Sequence, residues 1–79
     1  MSWMIEAYVP EHDGERAEEN VRAIATAAGG IQTFREAATP GTPRRGVCLT
    51  LEFTELAAAD AVANKLRSAG IHIEGPYDY

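Results

Sequence analysis

The order in which two hydrophobic rhythms follow one another limits the fold of this chain more than any single motif does. Apolar residues recur at every second position, then at helical spacing, then twice more at every second position, then at helical spacing, and finally at every second position. Trp3, Ile5, Ala7 and Val9 alternate with Met4, Glu6 and Tyr8, which predicts a half-buried strand ended by Pro10. A polar turn, Glu11 to Gly14, leads into Ala17, Val21, Ile24, Ala25 and Ala28, a helical stripe stopped by Gly29 and Gly30. Residues 31–38 alternate weakly, as an edge strand does, with Ile31 and Thr33 expected toward the helices and Phe34 on the other side.

The cluster Thr39, Pro40, Gly41, Thr42 and Pro43 predicts a long hairpin connection. Val47, Leu49, Leu51 and Phe53 then alternate with Cys48, Thr50 and Glu52, the clearest strand and an expected central one. Thr54 is the expected cap of a second helix, whose stripe runs through Ala59, Val62, Ala63, Leu66 and Ala69 to Gly70. Residues 71–74 form the expected last strand, with Gly75 and Pro76 breaking it before an aromatic tail, Tyr77 to Tyr79. This β-α-β-β-α-β order predicts an α+β, ferredoxin-like sandwich: a four-stranded antiparallel sheet with two helices on one face. That architecture hosts many unrelated activities, so function must be argued from the surfaces left over after the core is built.

Seventy-nine residues suit one domain, 1–79, with a single modest core. Twelve acidic residues against seven basic ones give a net charge of -5, which repels a phosphate backbone and argues against nucleic-acid binding. Glu11, Asp13, Glu15, Glu18 and Glu19 crowd the first helix start, where the helix dipole favours carboxylates and a solvated face is expected. Arg44 and Arg45 read as a solubilising hairpin tip, or as a pair able to hold a phosphate or carboxylate. No apolar run approaches the roughly 20 residues of a membrane span, and the start MSWMIEAYVP lacks the marks of a signal peptide. A single cysteine, Cys48, provides no disulfide framework, and the expected location is the cytoplasm.

With both helices on one side, alternation puts Met4, Glu6, Tyr8, Gln32, Phe34, Glu36, Cys48, Thr50, Glu52, His72 and Glu74 on the other. Met4, Tyr8 and Phe34 are large apolar bodies on a face that is normally polar when unpartnered, so a second subunit or a ligand is expected to cover part of it. Glu6, Glu52, His72 and Glu74, with Cys48 and Tyr8 near them, are the one group with chemical possibilities. Three such groups can hold a divalent metal or raise a carboxylate into a general base, but outward positions of a half-solvated sheet carry Glu and His routinely. The reading assigns no catalytic residue, no metal and no cofactor. Cys48 reads as a space filler, since no neighbouring cation would lower its pKa. There is no Cys-x-x-Cys, no cysteine cluster for an iron–sulfur centre, no phosphate-cradling glycine loop and no basic aromatic sheet of the kind that stacks RNA bases.

The first half, from Tyr8, Val9 and Pro10 through Asp13 and Gly14 into a helix ending Ala27, Ala28, Gly29, Gly30, Ile31, resembles the ACT-domain pattern. The close, Leu66 to Ile71, is similar to that family's helix-glycine-strand ending, although Asp13 precedes Gly14 directly where the family has Pro-Gly after the aspartate. The resemblance implies a regulatory module that forms a homodimer and binds an amino acid or similar small molecule near the first turn, with His12, Asp13 and Gly14 at that turn. The surrounding glutamates favour a zwitterion or cation there over a simple acid. Two other readings use the open face, with Met4, Glu6, Tyr8, Phe34, Glu52, His72 and Glu74 as its interface. One is a small dimeric enzyme resembling the antibiotic-biosynthesis monooxygenase and dimeric α+β barrel families, its pocket lined by Tyr8, Phe34, Glu52 and His72. The other is a non-catalytic protein-interaction module.

Overall fold

The structure, a computed structural model, describes residues 2–10, 14–37 and 46–78. Its elements are β1 (Trp3–Val9), α1 (Gly14–Ala27), β2 (Ile31–Glu36), β3 (Val47–Phe53), α2 (Leu56–Ser68) and β4 (His72–Asp78). The strands form one antiparallel sheet in the order β2-β3-β1-β4. This is the expected ferredoxin-like α+β arrangement. Among the described residues no helix is long and apolar enough to cross a membrane.

Alternation builds the core. Ile5, Ala7 and Val9 of β1, Val47, Leu49, Leu51 and Phe53 of β3, and Ile73 of β4 join Val21 and Ala25 of α1 and Ala59, Val62, Ala63 and Leu66 of α2 in one buried cluster. Since alternate strand residues point to opposite faces, that shared cluster places both helices on the same side of the sheet. The helices stop in the same way. Gly29 and Gly70 take φ values of 84° and 86°, and the next residue's N–H closes back on the helix, Gly30 to the Ala25 carbonyl at 2.8 Å and Ile71 to that of Leu66 at 3.0 Å.

Local expectations need correcting at several points. The α2 N-cap is Glu55, with extended backbone and no side-chain capping bond, so Thr54 does not cap the helix. Ala28 and Ala69, the last residues of the two expected stripes, are exposed. β4 does not stop at Glu74: Gly75 and Pro76 form a bulge opposite Ile5, and pairing resumes with Tyr77 beside Met4 and Asp78 beside Trp3. Gly75 accommodates this with φ 106° and a close approach to the Met4 carbonyl.

β2 departs most. Ile31 pairs with Glu52 and Gln32 with Leu51, but Phe34 pairs with Thr50, so Thr33 is an extra residue and the alternation slips by one. Ile31 is therefore on the open face, and Gln32 is turned toward the helices, the reverse of the plain alternation. The buried Gln32 Oε1 has no hydrogen-bond partner, a local cost of the bulge. Arg35 keeps the helix side that alternation through Phe34 gives it. There its Nε and Nη2 donate to Glu18 Oε1 and Oε2 at 2.8 and 3.2 Å. Glu18, expected on a solvated face, has a side chain only 8% exposed and is also flanked by Arg22 at 3.9 Å. The Arg35 hydrogen bonds, helped by the charges of Arg35 and Arg22, hold its carboxyl below the ordinary glutamate range against the opposing effect of burial.

Candidate binding face

The registers arrange the open face as three rows, each read from β2 through β3 and β1 to β4. Glu36, Cys48, Tyr8 and His72 form one, Phe34, Thr50, Glu6 and Glu74 the next, and Ile31, Glu52, Met4 and Tyr77 the third. The expected Met4, Glu6, Tyr8, Phe34, Glu36, Cys48, Thr50, Glu52, His72 and Glu74 are all here. Gln32 is not, while Ile31 and Tyr77 are additions. Simple counting past Gly75 and Pro76 would have put Tyr77 on the helix side; the bulge opposite Ile5 turns it to the open face. Nothing in the sequence marks the bulge that reassigns Ile31.

The middle of this face is covered without a helix. Cys48 and Thr50 are each only 9% exposed, because they lie on an inner strand under the longer side chains of β1 and β2. Three of the four exposed large apolar side chains among the described residues, Ile31, Phe34 and Tyr77, lie around them. Phe34 and Ile31 form an apolar margin on β2, and Met4 with Tyr77 an apolar corner on β1 and β4.

Two polar links cross the sheet. The Cys48 thiol donates to Glu6 Oε2 at 3.5 Å, along the diagonal between neighbouring strands. The Tyr8 hydroxyl donates to Glu74 Oε1 at 3.4 Å, while His72 Nε2 lies 3.4 Å from Glu74 Oε2 and its ring is 5.5 Å from that of Tyr8. These contacts are long, so they orient side chains more than they bind them. Glu52 stands opposite Met4, away from His72 and Glu74. Among the described residues no group of three or more His, Cys, Asp or Glu is arranged to hold a metal ion.

Burial, then the hydrogen bond to Glu6 and its charge, push the Cys48 thiol up to about 11, with Glu36 adding to the rise and the Tyr8 hydroxyl opposing it. Such a thiol is a proton donor at neutral pH and not a nucleophile. Compared with an ordinary thiol of pKa about 8.5, its thiolate fraction at about pH 7.5 is lower by a factor of about 300. The greater intrinsic reactivity of a more basic thiolate offsets part of this, leaving alkylation about 20-fold slower before any shielding is counted. Iodoacetamide kinetics on the folded chain check this, and Glu6→Gln should speed the reaction. Labelling of the parent at the rate of a free cysteine would contradict the geometry.

The first turn contributes less. His12 and Asp13 lie outside the described residues, as do Arg44 and Arg45, and Gly14 opens α1 in an exposed position with φ 68°. Two other concave regions occur on the helix side. One, about 410 Å³, lies between α1 and α2 and is lined by Ala23, Ile24, Ala27, Ala61 and Lys65 among others. The other, about 490 Å³, surrounds the Glu18–Arg35 pair and is polar. No protein-family model, curated protein or solved structure matches the chain.

Proposed function

We propose that the chain is a binding or regulatory module of the ACT-like kind, not a catalyst, that pairs with a second copy along β2 and uses the open sheet face for recognition. One observation carries this reading: Ile31, 63% exposed, and Phe34, 60% exposed, are the two most exposed large apolar side chains among the described residues, and both lie on the edge strand β2. An edge strand offers unpaired N–H and C=O groups to another chain. β4, the other edge, is interrupted by Gly75 and Pro76, whereas β2 contains no proline. Antiparallel pairing of two β2 strands joins the sheets side by side and brings the Ile31 and Phe34 margins of the two copies together.

Area supports the same arrangement. Four strands about 4.8 Å apart and three rows about 6.8 Å apart give one open face of roughly 400 Å². Joined edge to edge, two such faces present one continuous recognition surface of roughly 800 Å², the share a standard-size interface takes from one partner. The chemistry of the face favours binding over catalysis, because its thiol is held protonated by burial and by Glu6.

Light scattering on the purified chain tests the pairing. The parent is expected to be a dimer and Phe34→Glu a monomer at the same concentration. Amide exchange should show protection of β2 in the parent that the variant loses. A monomeric parent, or a variant that remains dimeric with β2 still protected, would remove the edge-pairing reading.

A further inference from the structure

The two helices are not held to the sheet equally. α2 buries Ala59, Val62, Ala63 and Leu66. α1 buries Val21, Ala25 and the charged Glu18, with Ala17 and Ile24 partly buried beside them, and β2, which follows α1 directly, buries no side chain at all. What fixes Glu18 is Arg35 of β2, through the two hydrogen bonds at 2.8 and 3.2 Å. Two features loosen the seat of β2 further. The extra residue Thr33 interrupts its ladder with β3, and the buried Gln32 Oε1 lacks a partner that water would supply once the strand moved out.

We infer that α1 and β2, residues 14–36, form one flap that leaves the sheet ahead of the rest of the fold, with the Glu18–Arg35 pair as its latch. Sub-global openings take contiguous units that bury the least apolar surface, which describes this segment. The remainder stays closed: β3 keeps its pairing with β1 and β1 with β4, and Ile5, Leu49, Leu51, Leu66 and Ile73 still share one core. Once the flap is off, β3 becomes the sheet edge and presents free backbone groups that the closed form withholds. The latch binds the two elements to each other because removing either partner strands the other beside a largely buried site.

Acid should release it. Glu18 is faced by Arg35 from β2 and Arg22 from its own helix, Glu15 acts on Arg35, and Glu15, Glu19 and Arg22 line the recess around the pair. From β1 and β3 only uncharged core side chains such as Ile5, Leu49 and Leu51 reach the helix side, and Lys65 of α2 lines the separate groove between the helices. The folded chain holds the Glu18 carboxyl below its ordinary range, so its stabilising contribution is complete above that range and is lost as pH falls through the lower, folded value.

Residue-resolved hydrogen exchange on the full chain tests the flap, read in the parent and in Phe34→Glu so that pairing of two copies along β2 cannot mask its opening. In Phe34→Glu at about pH 7 the bonded amides of α1 and β2 are expected to share one opening equilibrium, open at least about tenfold more often than amides of β1 and α2. Ile73→Val, on the far strand β4, should speed exchange in β1 and α2 about fivefold and leave α1 and β2 within about twofold. Arg35→Met keeps the aliphatic stem and should raise the open population of α1 and β2 alike by about tenfold. That ratio should fall toward one between about pH 5 and about pH 2. Exchange of α1 and β2 at the level of β1 and α2, with Ile73→Val moving all four together, would overturn the flap. Opening of β2 with α1 still closed would overturn the single unit. An Arg35→Met effect that spares α1, or one that persists unchanged to about pH 2, would overturn the latch.

Discussion

Leu51→Ala is expected to destabilise the chain by about 3 kcal/mol. Leu51 is fully buried on the inner strand β3, level with Ile5 of β1 and Gln32 of β2, and points into the cluster that both helices share. Removing three side-chain carbons there loses their transfer free energy and leaves a cavity whose walls, strands on two sides and helices above, have little freedom to close. A domain of this length has roughly 4 to 12 kcal/mol of stability in all, so the variant gives up a large share of it. In thermal terms the midpoint should fall by about 10 to 25 °C. Leu56→Ala is the control: Leu56 is exposed at the first residue of α2, and the change should stay within about 0.5 kcal/mol. Circular dichroism melts of the three proteins make the comparison. Equal melting of the Leu51 and Leu56 variants would show that the core is not packed as described.

Gly30→Ala comes next, at about 2 kcal/mol. A Cβ at this position would sit 2.3 Å from Phe53 Cε2, 2.7 Å from Cζ and 2.8 Å from Cδ2. The end of a flexible side chain would swing away at small cost. Phe53, however, is only 2% exposed and is enclosed by the core cluster, so the ring and the helix end must both shift. The neighbouring Gly29→Ala separates this contact from backbone strain. Gly29 has φ 84° with open space around it, so its replacement costs the left-handed conformation alone, about 1 kcal/mol. Urea denaturation of the two variants should rank Gly30→Ala as the more damaging, and the reverse order would mean that Phe53 can move aside.

The architecture was legible because most elements carry their period plainly, β2 being the exception. Val47 to Phe53 alternates without a fault, and Ala59, Val62, Ala63 and Leu66 keep helical spacing, so the strand and helix faces follow from elementary geometry. What escaped depends on contacts between distant residues. Glu18 looks like any other carboxylate near a helix start, and only the approach of Arg35 from β2 explains its burial. Tyr77 was hidden by a reading of Gly75 and Pro76 as a stop, where the sheet treats them as a bulge and continues. The open face was legible in outline, Met4, Tyr8, Phe34 and its glutamates included, but Ile31 and Gln32 exchanged sides at a bulge that no sequence pattern marks. The turn at His12 and Asp13 falls outside the described residues, so the ACT-like ligand site stays an expectation from resemblance.

One residue of surplus length in β2 has a reach beyond that strand. By slipping the alternation at Thr33, it delivers Ile31 to the outer layer and takes Gln32 inward in exchange, while Arg35 stays in the helix layer, where its guanidinium bolts β2 to α1. A strand without the insertion, alternating continuously through Phe34, would put Ile31 inside and Gln32 outside and leave Arg35 where it is. The greasy margin of an entire surface is thus completed by a single unpaired threonine.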